Sequence, residues 1–101
     1  MSNEHVVKID YLNVKKASLV LRALNHKLRQ QIVKMLNEKD KMTVTEIYVQ
    51  LRLEQSVASQ HLAILRRAGI VRTERDGKFI YYCVNNSRLE QINHLVEQLL
   101  S

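Results

Sequence analysis

Apolar residues recur every three or four positions in the N-terminal part of the chain, which is typical of amphipathic helices. One such stripe runs from Tyr11 to Leu24, and we predict a first helix there. After Asn25-His26 the same spacing resumes at Leu28 and continues to about Asn37, which predicts a second helix.

A third helix is indicated by its N-terminal capping residues. Lys39-Asp40-Lys41 forms a short polar turn after the second helix. Thr43 and Glu46 have the spacing of a capping box, in which each side chain bonds the backbone amide of the other residue. We therefore expect a helix that starts here and ends near Leu51 or Arg52.

A fourth helix follows a break at Leu53-Glu54-Gln55. We expect it to end at Gly69, because glycine readily adopts the left-handed conformation that often follows a helix. Its predicted inner face carries apolar residues and one histidine at helical spacing: Val57 or Ala58, His61, Leu62 and Leu65.

The period then changes from that of a helix to that of a strand. Residues 70–74 and 78–84 are rich in β-branched and aromatic side chains, and they flank Arg75-Asp76-Gly77, which predicts a β-hairpin. Ser87 is expected to cap a last helix with apolar positions through Leu99. The predicted fold is mainly α with a small β-hairpin, in the order α-α-α-α-β-β-α.

Charge and length narrow the class of function. The 101 residues suggest one domain over residues 1–101, with a formal net charge of +6 that favours nucleic acid as partner first and an anionic membrane surface second. No apolar run is long enough to cross a bilayer, and residues 1–5 lack the features of a secretory signal. We expect a cytoplasmic protein with no membrane partner.

The helices and hairpin together match a winged helix-turn-helix, whose second helix enters the DNA major groove. The start of the fourth helix carries small polar residues on the face opposite the core, and Ala63 continues that face. Gln can pair with adenine, and Ser can bind a base edge or a phosphate. Such residues are also common at solvated helix starts, but the hairpin favours base reading by Gln55, Ser56, Ser59 and Gln60.

Basic residues surround the predicted hairpin and occur in the helix before it. Charged hairpin tips are often only solvated, but these cations lie where a wing would meet the DNA backbone. We predict phosphate contacts from Arg67, Arg72, Arg75 and Lys78.

The run Gln55-Ser56-Val57-Ala58-Ser59-Gln60-His61-Leu62-Ala63-Ile64-Leu65-Arg66-Arg67-Ala68-Gly69 resembles the ArsR-type (arsenic-repressor-like) transcriptional regulators. The likeness covers about residues 15–100. It implies a homodimer that binds an operator with two-fold symmetry, usually represses, and releases DNA when an inducer binds. His61 belongs to this run and suits packing, capping or a phosphate contact, so we include it among the backbone contacts.

The resemblance also implies a dimer interface made by the first and last helices. The long apolar stripe of the last helix supports that interface, although ordinary core packing would explain it too. We predict interface positions at Val14, Leu21, Leu89, Ile92, Val96 and Leu99.

Many relatives sense metals, but the positions of their ligands are occupied differently here. A Cys-x-Cys pair in the third helix falls on Tyr48 and Gln50, and an Asp-x-His start of the last helix falls on Asn86 and Arg88. Neither Tyr nor Gln supplies a thiolate, and an Arg would repel a cation. We expect no metal and no cofactor at these sites, and leave the effector open.

Two non-standard sensing sites remain as alternatives. His94 and Glu97 share one helical face and could bind zinc with ligands from a partner subunit. Cys83, the single cysteine, suits either a small apolar strand residue or a reactive thiol. A metal- or thiol-responsive repressor with a non-standard site would use one of them.

The chain is not expected to be an enzyme, since it lacks a Gly-rich phosphate loop, a nucleophile with its base, and a metal cluster. A winged helix can also bind another regulator through its wing or its terminal helix. We therefore predict a sequence-specific DNA-binding transcriptional regulator, most simply a homodimeric repressor on an inverted-repeat operator. A protein-interaction module is the alternative.

Overall fold

The computed structural model describes residues 6–101, so the predicted lack of a leader at residues 1–5 lies outside the described part. The helices and strands are α1 (Tyr11–Leu24), α2 (Lys27–Lys39), β1 (Met42–Thr43), α3 (Val44–Leu51), α4 (Gln55–Arg67), β2 (Val71–Asp76), β3 (Phe79–Val84) and α5 (Asn86–Leu100). A mainly helical chain with a β-hairpin after a helix-turn-helix confirms the predicted fold class. The order contains one strand more than predicted.

The additional strand is β1, which lies between α2 and α3. Met42 pairs with Tyr82 and Thr43 with Tyr81, and the antiparallel sheet has the order β1-β3-β2. Two residues are too few to display a strand period, so this element depends on the edge that β3 offers rather than on a local signal. The turn after α2 therefore leads into a strand before the next helix begins.

The predicted capping box of α3 is confirmed. The Glu46 amide donates to Thr43 Oγ1 over 3.2 Å, and the Thr43 amide donates to Glu46 Oε1 over 3.0 Å. These two bonds satisfy amides that the helix itself leaves without partners. The start of the helix-turn-helix is thus fixed by its own sequence.

The end of α4 is also fixed by local chemistry. Gly69 has a φ of 73°, and its amide donates to the Arg66 carbonyl over 2.9 Å. The Ile70 amide reaches back to the Leu65 carbonyl over 3.0 Å, which completes a Schellman motif. This motif turns the chain from α4 directly into β2, the first strand of the hairpin.

Two local predictions need correction. Asn85, not Ser87, caps α5, because the Asn85 side chain accepts from the Arg88 amide while Ser87 donates its hydroxyl to Asn85 Oδ1. In the hairpin, Asp76 is the last residue of β2 and pairs with Phe79. The turn therefore consists of Gly77-Lys78, with the positive φ at its first position that suits glycine.

The core lies between α2, α3, α4 and the inner face of the sheet. Alternate residues of β2 and β3 face it, so Val71 and its partner Val84 are buried. The largest fully buried side chains come from all of these elements: Ile32, Leu36, Ile47, Leu62, Leu65, Ile70 and Val71. The core therefore holds the helix-turn-helix and the base of the wing in one packed unit.

Within residues 6–101, the helices are all too short or too polar to pass through a lipid bilayer.

Candidate DNA-binding interface

The recognition helix α4 is anchored by its buried face. Ala58, Leu62 and Leu65 are fully buried, and residues 52–54 connect α4 to α3. Arg52 adopts a left-handed conformation in that connection, and the Leu53 amide donates to the Tyr48 carbonyl over 2.9 Å. This tight connection and the buried face fix which side of α4 is turned outward.

The outward face at the start of α4 carries the predicted base-reading residues. Gln55, Ser56, Ser59 and Gln60 are all exposed. Because a helix rises about 1.5 Å per residue, these four positions span only about 8 Å along its axis. Ala63, expected to continue this face, is half-buried. The polar face is therefore confined to the first turn and a half of α4.

The first backbone amides of α4 have no hydrogen-bond partner within the helix. Glu54 is the N-cap but makes no side-chain capping bond, and the first helical bond is the Ala58 amide to the Glu54 carbonyl. The amides before Ala58 are therefore free of helical partners, and a helix N-terminus carries partial positive charge. This end of the helix can accept an anionic group beside the exposed polar side chains.

Two of the predicted wing cations lie at the tip of the hairpin. Arg75 donates through Nε to the Gly77 carbonyl over 3.3 Å, and Lys78 Nζ lies 5.5 Å from the centre of the Phe79 ring. Both side chains are exposed. Their contacts are with neutral groups, so both charges stay available to a phosphate.

Arg72 is placed differently from the prediction. It pairs with Cys83 across the sheet, far from the turn, and its Nη1 lies 2.6 Å from Glu74 Oε1. Residues two apart on a strand share a face, which brings the two side chains together. The hydrogen bond lowers the pKa of Glu74 and raises that of Arg72. Arg72 is thus engaged by an acid and does not belong to the wing tip.

His61 also differs from its predicted role at the DNA backbone. The side chain is half-buried, and its Nδ1 lies 3.3 Å from Arg29 Nη1. Its ring centre is 4.9 Å from that of His26, the N-cap of α2. Since an arginine can only donate, His61 Nδ1 accepts, and the ring is neutral with its proton on Nε2. His61 therefore joins α4 to α2 inside the domain.

This contact makes stability depend on pH. Burial, together with the neighbouring His26 and Arg29, lowers the pKa of His61 below its ordinary value of 6.5. The unfolded chain therefore binds more protons as pH falls through that value, so stability should decrease below pH 6.5 until the folded pKa is passed. We expect His61→Asn, which keeps an acceptor without titrating, to have a shallower fall in melting temperature over this range.

Thermal unfolding followed by circular dichroism between neutral and mildly acidic pH would measure this difference. His94→Asn is the matched control, because His94 is exposed on α5. Equal slopes for wild type and His61→Asn would contradict the assignment of the pH dependence to His61.

Arg67 lies at the far end of α4 from the polar face. It is exposed and lines a cavity shared with α1, along with Lys16, Arg22, Arg29 and Arg88. Of these five cations only Arg67 was predicted as part of a site, so the sequence analysis missed Lys16, Arg22, Arg29 and Arg88. Arg29 precedes buried Val33 by four positions, a spacing that places both on one helical face and could have indicated its burial.

The predicted interface positions on α1 and α5 fall into two groups. Val14 and Leu99 are exposed, with 51% and 68% of their surface accessible. Leu21, Leu89 and Val96 are half-buried and pack against the core of their own chain. Ile92 is 8% exposed within that core, so its prediction as an interface residue is corrected. Further exposed apolar residues on these helices are Tyr11, Leu12, Leu19, Leu95 and Leu100.

The positions considered for metals and redox chemistry lie on three different elements. Tyr48 is in α3, Asn86 and Arg88 open α5, and exposed His94 lies further along it. Among residues 6–101, no three His, Cys, Asp or Glu side chains gather as a metal site would require. Cys83 is buried, its thiol donates to the Arg72 carbonyl over 3.7 Å, and burial raises its pKa. These features are those of a packed strand residue rather than of a thiolate.

The family profile described as "Bacterial regulatory protein, arsR family" matches residues 26–73, which span α2 to the start of the wing. Transcriptional repressor PagR of Bacillus anthracis is 34% identical over 92 residues, which cover 91% of this chain and 92% of PagR. The chain belongs to the ArsR family. Transcriptional activator HlyU of Vibrio cholerae is also 34% identical, over 86% of this chain and 80% of HlyU.

Solved structures of the same two ArsR-family proteins have this fold. The crystal structure of PagR superposes with a TM-score of 0.69 at 33% identity, and covers 86% of this chain and 99% of that one. The structure of HlyU from Vibrio cholerae gives 0.67 at 34% identity, with coverages of 86% and 94%. This protein is therefore a DNA-binding transcriptional regulator. The expectation that it is not an enzyme is confirmed by its membership of a family of regulators.

Proposed function

We propose that this ArsR-family regulator is a homodimer, with one winged helix-turn-helix domain per subunit over residues 1–101, that represses transcription from an inverted-repeat operator. The observation that carries the proposal is the exposed polar face at the start of α4, formed by Gln55, Ser56, Ser59 and Gln60 on a helix whose other face is fully buried. A helix of about 10 Å diameter fits the major groove, so this end can reach base edges.

Base reading in this proposal depends on amides and hydroxyls. Gln55 and Gln60 each present an acceptor and two donors, which match the N6 and N7 groups of adenine. Ser56 and Ser59 lie between them and can bond either a base edge or a phosphate. The open amides at the start of α4 add a site for one backbone phosphate. The expected operator half-site therefore includes adenine in the contacted positions.

Phosphate contacts in this proposal come from the tip of the wing. Arg75 and Lys78 are exposed on either side of Gly77, and neither is paired with an acid in the described part of the chain. Each phosphate contact releases condensed cations, so it strengthens binding to every duplex and makes that binding salt-dependent. Arg72, His61 and Arg67 are left out of the wing contacts because of the positions described above.

Dimer formation is supported by apolar surface that one chain cannot cover. The radius of gyration is 17.0 Å, against about 13 Å expected for a compact domain of this size. Val14 on α1 and Leu99 on α5 belong to the exposed apolar surface. A second copy related by a two-fold axis would bury these faces and present two α4 helices to successive major grooves about 34 Å apart.

Repression is the simplest consequence of this geometry. A dimer that occupies two successive major grooves excludes polymerase when its operator overlaps a promoter. PagR is named a repressor and HlyU an activator, so position on the DNA decides the sign of regulation in this proposal. If the regulator is a repressor, deleting its gene should raise the expression of a reporter placed behind the DNA upstream of that gene.

Fluorescence anisotropy tests the proposed roles of α4 and the wing. The protein is titrated onto its own upstream DNA and onto a scrambled duplex over a series of salt concentrations. Gln60→Ala is expected to lose about 1–3 kcal/mol on the operator alone, which reduces the preference over scrambled DNA. Lys78→Ala is expected to weaken both duplexes and to reduce the salt slope by about one.

Lys34→Ala supplies the control, because Lys34 is an exposed cation on α2 rather than on α4 or the wing. It should leave the salt slope unchanged. The proposed roles would be overturned if Gln60→Ala weakened both duplexes equally while Lys78→Ala altered base preference. Salt-insensitive binding with no preference for the upstream DNA would favour the protein-interaction module instead.

A further inference from the structure

A basic cavity lies at the opposite end of α4 from the proposed base-reading face. Its volume is about 690 Å³, and it is bounded by α1, the start of α2, the second half of α4 and the start of α5. Six of its eleven lining residues are apolar. The other five are Lys16, Arg22, Arg29, Arg67 and Arg88, so the cavity wall combines apolar surface with positive charge only.

Arg29 is the most buried of these cations, at 9% exposed. Its Nε donates to the Ala23 carbonyl over 2.6 Å and its Nη2 to the Arg22 carbonyl over 3.2 Å, while Nη1 faces His61. All these partners are neutral, and no carboxylate in the described part of the chain pairs with this guanidinium. A buried cation is stabilised strongly by an opposite charge, which this cavity could admit from solution.

Arg88 connects the cavity to the DNA-facing elements. A Cβ built on Gly69 would lie 3.1 Å from both Nε and Nη2 of Arg88, so the guanidinium packs against the backbone at the end of α4. That backbone turns directly into β2 and the wing. Arg88 lines the cavity and packs at Gly69 with the same guanidinium, so an anion bound to it would compete with this packing at the junction between α4 and the wing.

We propose that the cavity binds a small organic anion, with carboxylate or phosphate oxygens toward the arginines and an apolar body against α1 and α4. The volume lies within the range of about 300–1,000 Å³ that is usual for small-molecule sites. Val14 and Leu99, which we assign to the subunit interface, do not line it, whereas Leu19, another exposed apolar residue of α1, does. Binding of the anion does not depend on the proposed function. We expect loss of the Arg88 packing to release operator DNA, and this consequence does rest on the proposed function.

Anilinonaphthalene sulfonate is a suitable probe, since it joins an anionic oxygen group to an apolar body and fluoresces when bound. We expect saturable binding to the wild-type protein and about tenfold weaker binding to Arg67→Gln and Arg22→Gln, the factor for one lost charge-assisted contact. Arg66→Gln is the matched control, because Arg66 is exposed on α4 and does not line the cavity. Competition by benzoate and by inorganic phosphate then distinguishes the two kinds of anion.

Neutral phenylnaphthylamine, which lacks the sulfonate, should bind weakly and equally to all of these variants. The proposal is overturned if it binds as tightly as the anion, if Arg66→Gln weakens the anion as much as Arg67→Gln, or if no saturable binding is observed. Binding of the anion only to monomeric Leu99→Asp would also overturn it, because the partner subunit would then fill the cavity. Operator anisotropy on the same preparations tests the proposed function separately.

Discussion

Replacement of Leu99 by Asp is expected to separate the dimer and weaken operator binding by about a hundredfold or more, because two half-sites are then no longer bound as one unit. Leu99 lies near the end of α5 and is 68% exposed in the single chain. In the proposed dimer this side chain is buried against the partner subunit. A carboxylate there would lose its hydration without gaining a counter-charge.

Sedimentation velocity measures the first effect and fluorescence anisotropy the second. Binding to a duplex with one half-site should be nearly unchanged in Leu99→Asp, since α4 and the wing are intact. Val14→Asp on α1 should reproduce both effects, because Val14 is also exposed and apolar. A charge placed on either α1 or α5 should therefore cause the same loss of dimer and of operator affinity.

Gln98→Asp is the matched control for the introduced charge. Gln98 is the exposed neighbour of Leu99 and lies off the apolar stripe. It should sediment as a dimer and bind the full operator with an affinity close to that of wild type. A Leu99→Asp protein that remained dimeric, with operator affinity unchanged, would be incompatible with the assigned interface.

Elements with local signals were predictable to within a residue or two. The apolar period predicted α1 at the bounds that the structure has, Tyr11–Leu24. The Thr43 and Glu46 pair, and Gly69, gave the start of α3 and the end of α4 because caps depend on residues within one turn. The exposed polar face at the start of α4 followed from the same helical period, since burial of Leu62 and Leu65 determines which residues lie on the opposite side.

Features that depend on a partner distant in sequence were not predictable in this way. β1 exists through pairing with β3, about forty residues later, and the contact between Arg29 and His61 joins α2 to α4. The positions of Arg67 and Ile92 likewise follow from helix packing. A single helical period cannot distinguish a face that meets its own core from one that meets another subunit.

The ion pair of Arg72 differs from these features, because its partner, Glu74, is only two residues away in the sequence. Arg72 and Glu74 are two residues apart on a predicted strand, which places their side chains on one face at ion-pairing distance. The prediction grouped Arg72 with Arg75 and Lys78 because all three are close to the turn in sequence, and it did not consider that side chains alternate between the two faces of a strand. The wing tip therefore has two free cations, Arg75 and Lys78, in the described part of the chain.

Leu62→Ala is expected to lower the free energy of unfolding by about 2–5 kcal/mol, the usual cost of truncating a buried leucine. Leu62 is fully buried and belongs to the core cluster that joins α2, α3, α4 and the sheet. Small domains have a total stability of about 5–15 kcal/mol, so this one change removes a large fraction of it. Urea denaturation at a fixed protein concentration measures the difference, which keeps any contribution from subunit association constant.

Val49→Ala is the control, since Val49 is exposed on α3 and its truncation should change stability by less than about 0.5 kcal/mol. If Leu62→Ala were as stable as Val49→Ala, the inner face of α4 would not be the anchor that the proposed interface requires. The exposed face of α4 can keep its orientation only if the buried face is packed in the core. In the proposed complex, exposed Gln60 would hold a fixed orientation toward a base because Leu62, two positions later on the opposite face, is packed in the core.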